Sequence, residues 1–248
     1  MNTVIDELNY KLYNIRTMNW IKCDYNGSGC IGMQLEKLLN KNLDKKILPD
    51  YKGIEIKTKC VSKNMDKYGV SLFSSSFDDY PLSMKKFFDI VSYPDNKLNI
   101  NKFQKRINTF KGLIINNYYI KIYTDNKNEK LKIFIINRSY HKIISTHSWS
   151  YKELEARLST KLKYMVLVYA RLYTIGDTKF IKYDDYHFYK LKGFNNFLYC
   201  LKKGYIIVNF NLLERKDSNN LYIFDKGTSF EIDTKYINEL FEEIKKDN

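Results

Sequence analysis

Apolar residues recur one helical turn apart at the start of the chain, at Val4, Leu8, Leu12 and Ile15, and this spacing predicts a helix that buries one face. A second helix is expected from about Ile31 to Asn40, because the turn-forming run Asn26-Gly27-Ser28-Gly29 stands just before it. From Gly53 the period falls to two. Ile54, Ile56 and Thr58 alternate with Glu55, Lys57 and Lys59, as in a strand with one apolar and one polar face. Val70 to Phe73 reads as another strand, close enough in sequence to close a hairpin with the first.

A long Asn- and Lys-rich stretch follows, and regular signals resume at Tyr118–Tyr123 and Leu131–Asn137, both read as strands. A helix over about Tyr151 to Leu162 leads into Tyr164–Tyr173, whose nearly unbroken apolar run predicts a central strand covered on both faces. Beyond it come a helix near Leu191–Lys202, a strand Tyr205–Leu213, a hairpin across Leu221–Ile232 turning at Asp225-Lys226-Gly227, and a last helix from Thr234. With three prolines, ten glycines, no linker and no repeat, nothing marks a clean boundary, so any lobes are interleaved or tightly joined. This order of helices and largely antiparallel strands predicts a mixed α/β (α+β) fold.

Charge narrows the partners. Forty-two Lys and Arg against 28 Asp and Glu leave a net charge of +14, which favours a polyanion, nucleic acid first and an anionic membrane surface second. A Lys-, Asn-, Ile- and Tyr-rich composition of AT-rich coding origin would supply part of that charge without any partner. Cys23, Cys30, Cys60 and Cys200 form no CxxC pair and no regular spacing with His141, His147 or His187, which excludes a zinc-finger pattern or a disulfide framework. The thiols are expected free, in a soluble, cytoplasmic protein. The N-terminus lacks the pattern of a targeting segment, and no apolar run approaches the roughly 18 residues that span a bilayer. The 22 tyrosines and 15 phenylalanines are expected mostly in the core, rather than as a base-stacking platform.

The chemistry concentrates in Leu48-Pro49-Asp50-Tyr51-Lys52-Gly53-Ile54-Glu55-Ile56-Lys57. Phosphodiester hydrolysis needs carboxylates to hold a hard cation, a water of lowered pKa, and a positive charge near the pentacoordinate phosphorus. Glu55 and Lys57, two apart on a strand, project from one face, and Asp50 at the preceding turn can bring its carboxylate to the same point. On its own an Asp-x4-Glu-x-Lys pattern also fits an ordinary exposed strand edge. Glu36, on the preceding glycine-flanked helix, adds a further carboxylate that could face the same cation, or simply solvent.

These blocks resemble the MvaI/BcnI restriction endonucleases, a family related to the mismatch-repair nicking enzyme MutH. The resemblance begins at Gly27–Leu39 (GSGCIGMQLEKLL), continues through Leu48–Lys59 (LPDYKGIEIKTK) and Gly69–Phe73, and returns at Ser148–Ala170. It then covers the C-terminal third, including Phe224–Ile232 (FDKGTSFEI), and is poorest over Ser74–Tyr118. It implies a PD-(D/E)XK restriction-endonuclease-like core in which two lobes form a DNA-binding cleft. Approximately residues 1–140 would be mainly the catalytic lobe, with the active-site strand at 53–59. Approximately residues 141–248 would hold the central strand and the recognition lobe, with the hairpin at 221–232.

The resemblance further implies a site-specific, Mg2+-dependent type II endonuclease acting on double-stranded DNA, as a monomer that cuts the strands in turn. It would need no obligate protein partner and would belong with a cognate DNA methyltransferase. Asp50 and Glu55 would be the metal ligands, Lys57 would orient the attacking water or stabilise the phosphorane, and Glu36 would assist. Lys163 lies where relatives carry a further lysine, although Lys161 would present the same chemistry. For base reading this chain departs from relatives that place histidines before the Gly-Thr pair, since Asp225 and Lys226 stand there. Asp accepts from cytosine N4 and Lys donates to guanine, so both are candidates, with Arg215 and Lys216 next. Lys102 and Lys105, within Lys97–Lys111, are expected on a phosphate-contacting arm or a solvated helix face. A MutH-like methylation-directed nicking enzyme and a non-catalytic DNA-binding protein are the competing readings.

Overall fold

The computed structural model describes residues 1–27, 29–40, 48–61, 69–217 and 220–245, and Ser28 of the expected turn lies outside them. Two compact units emerge, each assembled from separated stretches of chain. The first comprises Met1–Val70, Ser159–Lys192 and Ile237–Asn248, and the second Ser71–Leu158 and Gly193–Tyr236. This division differs from the approximate boundary near residue 140, because the strand Tyr164–Ile175 belongs with Glu55–Cys60 and not with the C-terminal third.

In the first unit, a five-stranded sheet runs in the order Ile21–Lys22, Thr178–Leu191, Tyr164–Ile175, Glu55–Cys60, and Phe241–Glu243 also pairs with Thr178–Leu191. Tyr164–Ile175 is its spine. Met165, Val166 and Leu167 are fully buried, and the strand runs parallel to Glu55–Cys60 and antiparallel to Thr178–Leu191. The near-continuous apolar run follows from cover on both faces. Helix Asn2–Thr17 buries Ile5, Leu8, Leu12 and Ile15, so the stripe starts one residue later than Val4. It packs with Ile31 and Leu35 of helix Cys30–Leu38 against Ile54, Ile56, Val166 and Val168.

The second unit holds two sheets. One runs in the order Val70–Ser74, Ser229–Ile232, Ile206–Asp217, Ile100–Asn108, Tyr93–Asp95, with Asn220–Asp225 also paired to Ile206–Asp217. The other is a meander of Leu113–Ile115, Tyr118–Asp125, Lys130–Asn137 and Lys142–Ser150. Its core is aromatic, as the composition led one to expect. Phe77 packs on Trp149 with ring centroids 4.5 Å apart, Phe87 stacks on Phe210 at 5.2 Å, and Phe73 stacks on Phe230 at 5.0 Å.

Several expectations are corrected here. Val70–Ser74 makes no hairpin with Glu55–Cys60; it pairs with Ser229–Ile232, where Phe73 finds Phe230 and Phe197. The polar stretch before Tyr118 is structured, with a helix Leu82–Val91 and strands Tyr93–Asp95, Ile100–Asn108 and Leu113–Ile115. Lys97–Lys111 is therefore neither an arm nor a helix face but largely a strand within a sheet. Leu221–Ile232 is no hairpin either, because both halves pair with the same neighbour. Asn220–Asp225 lies along Leu212–Asp217, and Ser229–Ile232 along Ile206–Asn209. Between them Lys226, Gly227 and Thr228 oppose only Phe210 and Asn211, a bulge in one interrupted strand. The last helix shrinks to a 3-10 turn, Thr234–Tyr236, and one α-turn, Ile237–Leu240.

His147 sits inside the aromatic core, with Ser83 Oγ 2.7 Å from one ring nitrogen and Ser145 Oγ 2.7 Å from the other. Burial holds its pKa down, from 6.5 to about 4. A histidine whose folded pKa lies below its unfolded value stays neutral in the fold while the unfolded chain takes up a proton, so stability is lost as pH falls from 6.5 towards 4. That loss should reach roughly 3 kcal/mol. Thermal melts between pH 7 and pH 4 check this: His147→Gln, able to bond both serines, should lose this share of the pH dependence even if it starts less stable.

Candidate active site

A two-residue turn stands immediately before the strand Glu55–Cys60. Lys52 and Gly53 both have left-handed backbones, with φ of 44° and 92°, and Tyr51 and Ile54 exchange two N–H to carbonyl bonds of 2.8 Å. Positive φ at both central positions is what a tight hairpin turn demands, and glycine at the second accepts it without a Cβ penalty. The next residues outward, Asp50 and Glu55, therefore stand opposite one another. Asp50 is held there because its Oδ2 accepts the Ile56 N–H at 3.1 Å.

Glu55 opens an edge strand yet is only 1% exposed. Its Oε1 accepts from Lys57 Nζ at 2.7 Å and lies 3.3 Å from Lys161 Nζ, whereas its Oε2 is buried without a hydrogen-bond partner. Burial pushes the Glu55 carboxyl above the usual range; Lys57 opposes that push, Asp50 adds to it, and Lys161 opposes it. One buried oxygen left open, beside a second carboxylate, is a donor pair suited to a hard divalent cation. Among the described residues no group of three His, Cys, Asp or Glu side chains converges to hold a metal. The pair fits a cation that keeps most of its coordination for water and phosphate, as Mg2+ does.

Lys161 arrives from the helix Tyr151–Leu162, whose Leu154, Leu158 and Leu162 are fully buried one turn apart. Lys161 stands beside Leu162 in the last turn, and its ammonium meets Glu55. Lys163, one residue past the helix, is exposed, and its carbonyl accepts the Leu191 N–H at 3.1 Å. Of the two lysines weighed from the sequence, the structure thus brings Lys161 to Glu55. The borderline position of Lys161 on the helix face was the available signal. Glu36 is half-buried on helix Cys30–Leu38. A Cβ on Gly32, one turn earlier, would lie 3.6 Å from Thr58 Oγ1, so this helix packs on the Ile56–Thr58 face. Glu55 and Lys57 project from the other face, and a role for Glu36 beside them has to pass around the strand edge.

The remaining candidates all fall in the second unit. Asp225 enters the bulge with its Oδ1 accepting the Gly227 N–H at 2.8 Å, and burial pushes its carboxyl up. Lys226 donates its N–H to Asn211 O at 3.0 Å and leaves its ammonium exposed. Arg215 is exposed, with its guanidinium 3.8 Å from the centroid of the Phe224 ring, and Lys216 follows it in solvent. Lys102 Nζ is paired with Asp95 at 2.5 Å, and Lys105 lies over the Tyr93 ring at 5.0 Å.

The family model for the MvaI/BcnI restriction endonucleases matches residues 9–241. No curated protein matches the chain. Among solved structures it is similar to restriction endonuclease MvaI in complex with its cognate DNA substrate, at 22% identity over 98% of each chain with a TM-score of 0.86. It is also similar to MvaI in the absence of DNA, at the same identity and coverage with a TM-score of 0.62. At this identity the structural likeness is one of fold, a mixed α/β architecture shared along the whole length. The family follows from the sequence model, which extends over nearly the entire chain: this protein belongs to the MvaI/BcnI restriction endonuclease family.

Proposed function

We propose that the chain is a type II restriction endonuclease that hydrolyses phosphodiester bonds of double-stranded DNA, with Mg2+ held by Asp50 and Glu55. The observation that carries this reading is the buried Glu55 carboxylate, one oxygen held by two lysines and the other unpartnered, opposite Asp50 across a two-residue turn. A bound Mg2+ would supply Lewis acidity and lower the pKa of a coordinated water. Lys57, partly exposed beside Glu55, is placed to orient that water or to meet the charge that develops on the phosphorus. Lys161 adds to Lys57 in favouring the ionised form of Glu55 against its burial.

In this reading the chain acts as a monomer that cuts the two strands in turn, as the family resemblance implies, and the family supports a companion DNA methyltransferase that protects host sites. Arg215, Lys216 and Lys226 offer exposed cations for base or phosphate contact, with Asp225 as an acceptor for cytosine N4. Lys102 and Lys105 serve phosphates in this reading, at the cost of opening the Lys102–Asp95 pair.

The test is digestion of plasmid DNA with Mg2+ followed by sequencing of the ends. Discrete ends through an open-circular intermediate support the proposal; nicks at one methylation state mean a repair enzyme, and shifted but uncut DNA means a binder. Asp50→Ala and Glu55→Ala should abolish cleavage while leaving binding to the site in Ca2+ largely intact. Lys57→Ala should lower the single-turnover rate by at least about a hundredfold.

The two remaining lysines separate by pH. Glu55 must be ionised to hold a cation, and its raised pKa moves the acid limb of activity above that of an ordinary glutamate. Removing a cation that lowers this pKa moves the limb higher still, so Lys161→Met should displace it to higher pH at subsaturating Mg2+, and Lys163→Met should not. Equal profiles for the two variants would remove Lys161 from the site.

A further inference from the structure

The turn between Asp50 and Glu55 is gripped from outside by Glu7, on helix Asn2–Thr17. One Glu7 oxygen accepts the Tyr51 hydroxyl at 2.6 Å, and the other takes the Lys52 ammonium at 2.6 Å. These are the two residues that follow Asp50. The Tyr51 ring is buried and is bordered by the ammonium groups of Lys11 and Lys52, 5.2 Å and 5.8 Å from its centroid. Glu7 is itself fixed in position, because Leu8 beside it is fully buried and the helix is seated by Ile5, Leu12 and Ile15.

As a contribution to fold stability this arrangement is minor. The Glu7 and Lys52 side chains are 39% and 58% exposed, and ion pairs open to water to that degree contribute little. Its geometry is more telling than its energy. A left-handed backbone at a lysine is sparsely populated and relaxes unless something holds it, and Lys52 is that residue here. Two bonds from one carboxylate onto consecutive residues fix both the height and the twist of the turn, and hence the direction in which Asp50 leaves it. The Asp50 carboxylate is itself held to the strand by the Ile56 N–H.

We infer that Glu7 is a positioning residue for the metal pair: by clamping Tyr51 and Lys52 it holds the Asp50 and Glu55 carboxylates in convergence on one cation. The inference rests on reading that pair as a metal site. It assigns the N-terminal helix a part in cation affinity beyond its part in the core.

The experiment uses the full chain without DNA, with Mn2+ as the probe and the electron paramagnetic resonance signal of the free ion as the readout; the Mg2+ dependence of plasmid cleavage is measured alongside. Glu7→Gln keeps an acceptor for Tyr51 but loses the charge facing Lys52, and Tyr51→Phe removes only the hydroxyl. Glu7→Gln should weaken Mn2+ binding by about tenfold, the scale seen when a partner of a metal ligand is removed, with Tyr51→Phe falling between it and the wild type. The Mg2+ needed for half-maximal cleavage should rise in step, the rate at saturating Mg2+ should return to within about twofold of wild type, and the melting temperature should not move. The double variant should be no worse than Glu7→Gln by more than the lost hydroxyl explains.

Unchanged Mn2+ affinity in both variants, with wild-type cleavage intact, overturns the clamp alone. A rate deficit that saturating Mg2+ leaves in place, or a loss of affinity that tracks a falling melting temperature, overturns it as well. A wild-type chain that binds no Mn2+ overturns both the clamp and the metal reading beneath it. Mn2+ binding without cleavage sinks the nuclease reading and still judges the clamp.

Discussion

A charge buried at the edge of a sheet governs the first unit. Glu55 sits next to the fully apolar Met165 of the spine, and removing a carboxylate from water in such a place is costly unless positive charge meets it. Two cations do so from different parts of the chain. Lys57 comes from the same strand, and Lys161 from the last turn of the helix that feeds the parallel strand. The compensation is incomplete, since burial still prevails over both lysines and Oε2 has no partner. In the function proposed above, a cation bound there would meet the buried charge, and incompletely compensated buried charges of this kind belong to function more often than to stability.

The second unit is built on different physics. Its core is aromatic, and the rings of Phe73, Phe77, Phe87, Phe210, Phe230 and Trp149 bring strands together that are far apart in sequence. Its charges are also partly spoken for. Lys102 is bound to Asp95, Lys132 to Asp125, and Arg106 to Glu231, which also accepts from Asn209. The net charge of +14 is therefore no count of phosphate contacts. Arg215, Lys216 and Lys226 remain exposed on and beside the paired strands Ile206–Asp217 and Asn220–Asp225. In contrast, the Asp225 carboxylate is drawn inward to satisfy the bulge that interrupts its own strand.

The cysteines show the same distinction between composition and arrangement. All four are free, and Cys23 and Cys30 lie near one another in the apolar core of the first unit without a disulfide, the Cys23 thiol donating to the Cys30 carbonyl at 3.8 Å. No helix among the described residues is long and apolar enough to cross a membrane.

What the sequence by itself determined was local. Period and turn chemistry marked the helices at Asn2–Thr17 and Tyr151–Leu162, the spine at Tyr164–Ile175, and the Asp50, Glu55, Lys57 set, because one strand and one two-residue turn contain all three side chains. Pairing between distant segments was not legible. The strand Thr178–Leu191 shows no clean alternation, since its ladder with the spine holds it more than its side chains do. Val70–Ser74 was assigned to its nearest neighbour in sequence, whereas Phe230 decided its partner. Lys161 and Lys163 read alike as residues, and only the point at which the helix Tyr151–Leu162 ends sends one to Glu55 and the other to solvent. Tertiary structure alone decided these points, because long-range pairing depends on which surfaces fit one another, and a local period carries no record of that fit.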